Sequence, residues 1–211
     1  MQKANFTDNS FHYKGLDIGL HPEVYDPAED TFLLLDSLVI HPGSSILEIG
    51  TGCGLIALAC AHKGFSVVCT DINPFAVELT RQNITRNQHL IKGSVEARQG
   101  DLFNVLASHE RFHLIVFNPP YLPTSQEEKK EGWFEVATDG GKDGLAVTRK
   151  FLHGVKPHLL KTGEAYFIFS SLADRLLLEE YMRNEGFSFT IAARRMFEGE
   201  ELDVYRIVPV D

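Results

Sequence analysis

Basic side chains are scarce in this chain. It has 20 Lys and Arg against 29 Asp and Glu, a formal charge of −9. A protein that grips a phosphate backbone unaided carries a basic face, so nucleic acid is disfavoured as a direct substrate. Cysteine is scarce too. Cys53, Cys60 and Cys69 lack metal-ligand spacing and fall in segments that read as core, which points to reduced thiols in a cytoplasm rather than a disulfide framework. The nine histidines are scattered and form no ligand pair, so no metal site is expected. No apolar run reaches the roughly 20 residues of a membrane span. The first residues, Met1-Gln2-Lys3-Ala4-Asn5, lack a signal-peptide pattern. Repeats, low-complexity tracts and linkers are missing as well. What is present is 211 residues of 44% hydrophobic composition. That suffices for a single domain over 1–211 with a full core, of which 1–24 form an arm where the alternation of Leu16, Ile18 and Leu20 reads as a short strand or extended segment.

The densest signal is the stretch from His113 to Tyr121. Leu114-Ile115-Val116-Phe117 reads as a buried strand. Asn118-Pro119-Pro120-Tyr121 must end it, because neither proline offers an N–H to a sheet. In an open α/β sheet, ligands collect at the carboxyl ends of strands. An amide, free carbonyls and an aromatic ring on a stiff backbone suit a planar, weakly nucleophilic NH2 group. Asn118 Oδ1 and the Pro119 carbonyl can accept its two hydrogens, and Tyr121 can stack on its π system.

Around this stretch, short strands alternate with helices. Strands are expected at 45–49, 66–70, 95–99, 112–117 and 165–169, with helices at 28–38, 55–63, 74–87, 145–160 with a break at Pro157, and 172–185. A closing strand pair, 189–193 and 203–208, has no helix between and should run antiparallel. The pattern is α/β, a doubly wound, mostly parallel sheet. In the 28–38 helix, Asp26 is read as the cap with Pro27 at the first position, and Glu29 and Asp30 as first-turn acids. The polar stretch 124–132 is expected to be mobile without substrate.

Glu48-Ile49-Gly50-Thr51-Gly52-Cys53-Gly54 joins the first core strand to its helix. Its glycines let backbone approach a ligand closely. Asp71, about 20 residues on, stands where a carboxylate can hold both ribose hydroxyls. This would also suit a dinucleotide, but the spacing is G-x-G-x-G and an acid precedes it. Asp101-Leu102 comes after the third strand, placed to bond an adenine amino group and pack the ring. Three acidic strand ends disfavour a phosphate-rich ligand and favour S-adenosyl-L-methionine, which has none.

Together, Glu-x-Gly-x-Gly-x-Gly, Asp71, Asp101 and Asn118-Pro119-Pro120-Tyr121 resemble a class I S-adenosylmethionine-dependent N-methyltransferase. Tyr25-Asp26-Pro27-Ala28-Glu29-Asp30-Thr31-Phe32-Leu33-Leu34 narrows the resemblance to the HemK-type protein glutamine N5-methyltransferases of the archaeal and eukaryotic branch. These act on the Gly-Gly-Gln loop of class 1 peptide-chain release factors. The resemblance runs over nearly the whole chain. It implies a Rossmann-like seven-stranded sheet, with the antiparallel pair at the C-terminus. It assigns Thr31, Glu48, Gly50, Gly52, Asp71, Asp101, Leu102 and Asn118 to the cofactor, and Asn118, Pro119, Pro120 and Tyr121 to substrate and chemistry. It also implies a small zinc-binding activator subunit. The strand 95–99, in which Val95, Ala97 and Gln99 alternate with Glu96 and Arg98, is expected at a sheet edge where a partner strand can add. One departure stands out: Thr138-Asp139 precedes Gly140-Gly141, where family members often carry an aromatic. The alternatives weighed are an amino methyltransferase on DNA adenine or RNA guanine, which would use the same four residues, a protein lysine methyltransferase, and a non-catalytic cofactor-binding scaffold.

Overall fold

The computed structural model describes residues 5–7, 10–124, 132–197 and 199–210. The expected mobility of 124–132 falls on residues 125–131, which lie outside the described residues. Three short strands open the chain: β1 (Asn5–Thr7), β2 (Ser10–Tyr13) and β3 (Leu16–Gly19). Next come α1 (Glu29–Ser37), β4 (Ser45–Ile49), α2 (Leu55–His62), β5 (Ser66–Asp71), α3 (Pro74–Arg86), β6 (Ser94–Gln99) and β7 (Phe112–Phe117). A one-turn helix α4 (Trp133–Val136) precedes α5 (Ala146–Val155), β8 (Leu159–Ser170), α6 (Arg175–Asn184), β9 (Phe187–Phe197) and β10 (Glu200–Pro209).

The main sheet has seven strands in the order β6-β5-β4-β7-β8-β10-β9. Its first five are parallel and β10 runs antiparallel to both β8 and β9. The strands bury both faces, yet alternation still assigns each side chain to a layer. In β4, Ile46 joins one core with α1, α2 and α3, whereas Leu47 and Ile49 join another with α5 and α6. In β7, Leu114 and Val116 go with the first layer and Ile115 and Phe117 with the second. Parity therefore turns Glu48 toward the α1–α3 side.

Leu16 and Ile18 of the expected short strand fall in β3, and the arm holds more than that strand: β1, β2 and β3 make their own antiparallel sheet. Phe11, Tyr13, Leu16 and Ile18 bury one face of it. Its edge is tied to α3 by two buried amides. Asn83 accepts from Gly19 N (2.8 Å) and donates to Gly19 O (3.1 Å). Asn87 does the same with Asp17, at 2.8 Å each way. The helix expected over 145–160 breaks before Pro157, which sits in a 3-10 turn over Lys156–His158, and it does not resume beyond that turn. β8 accordingly begins at Leu159 and is 12 residues long. Lastly, α1 starts one residue past Ala28 and has no side-chain cap, so Asp26 does not cap it.

Among the described residues no helix is long and apolar enough to cross a membrane.

Candidate active site

A cleft of about 340 Å³ opens at the carboxyl ends of β4, β5, β6 and β7. Every residue that the sequence assigned to cofactor, substrate or chemistry lines it: Thr31, Glu48, Gly50, Gly52, Asp71, Asp101, Leu102, Asn118, Pro119, Pro120 and Tyr121.

The glycine loop folds tightly between β4 and α2. Gly54 has φ +83°, and a Cβ there would lie 2.8 Å from Thr80 Cγ2. Only glycine allows both the left-handed turn and that contact. Glu48 is 3% exposed. Its Oε2 accepts from Thr51 Oγ1 (2.8 Å) and from Ala57 N (3.1 Å) in the first turn of α2. Burial pushes its carboxyl up to about 8, although the two hydrogen bonds pull the other way. It is a buried acid under the loop, not a solvated strand end.

Asp71 ends β5 and braces the same loop. Its Oδ2 accepts from Gly52 N and its Oδ1 from Asn73 N, both at 2.9 Å. Burial raises its pKa above the ordinary carboxylate range, against the pull of these backbone donors. Each carboxylate oxygen accepts more than one hydrogen bond, so ribose hydroxyls remain compatible with both. Asp101 is exposed at the cleft edge. Leu102 beside it takes φ +49°, a left-handed conformation costly for a branched-chain residue.

The residue that sequence reasoning undervalued is Asp30. Read as a first-turn helix acid, it is 2% exposed and stands at the centre of the site. Its Oδ2 accepts from Asn118 Nδ2 (3.0 Å), Tyr121 OH (3.2 Å) and Tyr25 OH (3.3 Å). Its Oδ1 accepts from Thr31 N (2.6 Å) and Thr31 Oγ1 (3.2 Å). Burial, reinforced by the Asp30 charge, raises the pKa of both tyrosine phenols, so they remain donors. A carboxylate only accepts, so the face of the Asn118 amide toward it must be the NH2. Asn118 Oδ1 is thereby turned away, and it is buried without a protein partner.

The turn after Tyr121 is locked by close packing. Gly140 N donates to Leu122 O (2.9 Å), and Leu122 N donates to Thr138 O (3.2 Å). Gly144 has φ +73°, and a Cβ there would come within 2.5 Å of Tyr121 O. Thr138 itself bonds back into α4, to Glu135 O at 3.2 Å. The ring lining the cleft from this segment comes from Trp133.

Residues 23–185 match the family model described as the methyltransferase small domain. A Methanocaldococcus jannaschii protein named as a protein N5-glutamine methyltransferase is 41% identical over 192 residues, 90% of this chain and 94% of that one. Methyltransferase HEMK2 of Homo sapiens is 32% identical over 196 residues, 89% and 91% of the two chains. A solved structure, the E. cuniculi Mtq2-Trm112 complex responsible for methylation of the eRF1 translation termination factor, has the same fold. Its TM-score is 0.66 at 22% identity, over 90% of this chain and 99% of that one.

Proposed function

Since the chain belongs to the methyltransferase small-domain family, and within it to the HemK-type protein N5-glutamine methyltransferases, we propose that it methylates the glutamine side-chain amide nitrogen in the Gly-Gly-Gln loop of a class 1 peptide-chain release factor. One observation carries this reading: Asn118 Oδ1 is buried, unpartnered and fixed in orientation by Asp30, in a residue that lines the cleft. A buried acceptor left unpaired is costly, and an amide NH2 would satisfy it.

S-adenosyl-L-methionine fits the donor set. Glu48, Asp71 and Asp101 line the cleft, and Lys150 is the single Lys or Arg among its lining residues. A phosphate-bearing cofactor would meet repulsion there. Glu48, Gly50, Gly52 and Thr31 would hold the amino-acid end, Asp71 the ribose, and Asp101 with Leu102 the adenine. When bound, the cofactor supplies an electrophilic methyl group on a sulfonium.

The remaining work falls to the chain. An amide nitrogen attacks poorly because its lone pair is delocalised into the carbonyl. Asn118 Oδ1 and the Pro119 carbonyl accept its two hydrogens and so place it. Their oxygen dipoles stabilise the positive charge that grows as the N–C bond forms, and alignment with the methyl group lowers the barrier further. The Asp30 carboxylate holds Asn118 and Tyr121 in place for this. No base need act before transfer, because the cationic product can lose its proton to water.

The release-factor reading also brings a small zinc-binding activator subunit at the edge strand β6. Val95, Ala97 and Gln99 alternate there with Glu96 and Arg98, and Arg98 is engaged by Glu96 (2.9 Å) and Glu110 (2.9 Å). Among the described residues of this chain no cluster could hold a metal, so the zinc would be the activator's. A cytoplasmic setting agrees with three buried free thiols. Burial pushes those of Cys53 and Cys60 up to about 12.

The test is a methyl-transfer assay with labelled cofactor, offering release factor, DNA and RNA separately. Label on the release factor, lost when its loop glutamine is replaced by alanine, is expected. Label on nucleic acid would overturn the reading in favour of adenine or guanine amino methylation.

A further inference from the structure

Glu200 opens β10 at the turn of the β9–β10 hairpin, where it pairs in register with Phe197. It is not among the residues lining the cleft. Its Oε1 is nonetheless buried and has no hydrogen-bond partner. A buried acceptor in that state is costly, so the position calls for a donor.

The fold carries this oxygen to the tyrosines of the site. β10 runs antiparallel to β8, so its first residues lie at the same end of the sheet as Asn118. Ser171, just past β8, fixes them there. Its N donates to Glu201 O and its Oγ accepts from Glu201 N, both at 2.9 Å. The hairpin packs against α1, the helix that carries Asp30, and Phe197 and Tyr121 pack against the same core. Burial raises the Tyr25 and Tyr121 phenols most and the Asp30 charge next, and the Glu200 charge raises both further.

Donors are in excess beside it. Asp30 receives five: Asn118 Nδ2, Tyr121 OH and Tyr25 OH on Oδ2, and Thr31 N and Oγ1 on Oδ1. A carboxylate offers about four lone-pair sites. The two phenol bonds, at 3.2 and 3.3 Å, are long beside the roughly 2.5–2.7 Å of a hydroxyl on a carboxylate. One oxygen therefore holds a donor too many, while a neighbouring carboxylate oxygen holds none.

We propose that Glu200 is a positioning residue for methyl transfer, whose buried Oε1 takes the Tyr121 hydroxyl in exchange with Asp30. A hydroxyl has one hydrogen to give, so each move to Glu200 leaves Asp30 with four donors for four sites. The Asn118 bond to Oδ2 then tightens, and the Tyr121 ring is held from the hairpin side. That Tyr121 stacks on the acceptor amide rests on the proposed function; the exchange itself belongs to this chain alone.

The test uses Glu200→Leu, Glu200→Gln, Tyr121→Phe and the double variant Tyr121→Phe, Glu200→Leu. Calorimetric cofactor titration, expected to match the parent chain in both Glu200 variants, certifies the fold. Glu200→Leu should lower the single-turnover rate roughly fivefold or more, and Glu200→Gln, which keeps an acceptor oxygen, should recover most of it. The double variant should be no slower than Tyr121→Phe, because the effect runs through that hydroxyl. A readout without acceptor is the NMR resonance of the Tyr121 ring carbon that bears the hydroxyl, assigned by its loss in Tyr121→Phe. It should move in Glu200→Leu. An unmoved resonance, an unchanged rate, or losses that add in the double variant would each overturn the role of Glu200 and leave the release-factor reading standing. If the parent chain labels nucleic acid instead, the release-factor reading falls, and the resonance and the double variant still decide Glu200.

Discussion

Asp30 and Asn118 lie 88 positions apart in the chain, and Asp30 Oδ2 accepts from Asn118 Nδ2 at 3.0 Å. The contact joins the first turn of α1 to the end of β7, and it decides which way the Asn118 amide faces. Asp30→Asn replaces an obligate acceptor with a group that must present its own NH2 to donors. The Asn118 amide is then free to flip. Turnover should fall roughly 10–100-fold, with about 1–3 kcal/mol lost in stability from the unmatched buried donors. Cofactor affinity should fall less than turnover, because among the residues assigned to the cofactor Asp30 bonds only Thr31 and Asn118, and the side-chain oxygen kept in Asp30→Asn can still accept from Thr31. Single-turnover rates beside a calorimetric titration check this, and a near-parental rate would show that Asn118 is oriented without Asp30.

Removing the amide itself is the harsher change. Asn118→Ala leaves the Asp30 cluster with its two tyrosines and Thr31 but takes away the unpartnered Oδ1. By comparison with losing one preorganised dipole at a reacting centre, turnover should fall by roughly 10²–10³. Affinity for cofactor should change far less. If the variant retains near-normal turnover on its true substrate, the amide has no part in holding the acceptor nitrogen.

The residues show why some of this was legible and some was not. The strand ending at Asn118 was readable because two prolines forbid its continuation. Asp71 and Asp101 were readable because strand-to-helix spacing puts acids at neighbouring carboxyl ends. Local rules correctly put Asp30 in the first turn of α1, but an acid there is ordinary, and its burial depends on β7 and Tyr25 converging from elsewhere. Glu48 was placed correctly, but its burial came from α2 closing over it, which no local pattern states. The meander of β1, β2 and β3 was hidden in the same way. Only the alternation of Leu16, Ile18 and Leu20 marked it, and its attachment depends on Asn83 and Asn87 reaching across from α3. Pro157 did mark the end of α5, but the early start of β8 at Leu159 had no signal of its own, since Lys161-Thr162-Gly163 is polar.

At the β6 edge, an added partner strand would brace the Gly100-Asp101 turn next to it. Gly100 N donates to Asp71 O (2.8 Å), and a Cβ at Gly100 would collide with Val105, so strand end and loop are packed as one unit. Asp101 lies next in the chain. A partner that steadies β6 should therefore favour the cofactor, and the cofactor should favour the partner by the same factor. Titrating cofactor into the chain with and without the activator measures one side of this linkage, and titrating activator with and without cofactor measures the other. Equal affinities in both pairs, with a fully active lone chain, would leave the partner without a role at this edge.

Glu48 makes the site sensitive to pH. Its ordinary value is 4.5, and burial in the folded chain pushes it up to about 8. Between those values the folded chain keeps a proton that the unfolded chain has lost. Stability without cofactor should therefore be highest below about pH 4.5 so far as this group is concerned, fall through the window, and level off above about pH 8. Other acids add their own slopes, so the measurement is a difference: denaturant midpoints of the parent chain and Glu48→Gln at about pH 5 and about pH 8. The parent should lose more than the variant over that interval. A cationic amino group held by Glu48 would favour its charged form, so cofactor binding near neutrality should release a proton and affinity should rise toward pH 8. Calorimetry in buffers of different ionisation enthalpy reads that proton directly. If Glu48→Gln releases the same number of protons, the titrating group lies elsewhere and Glu48 serves only to hold Thr51 and the first turn of α2.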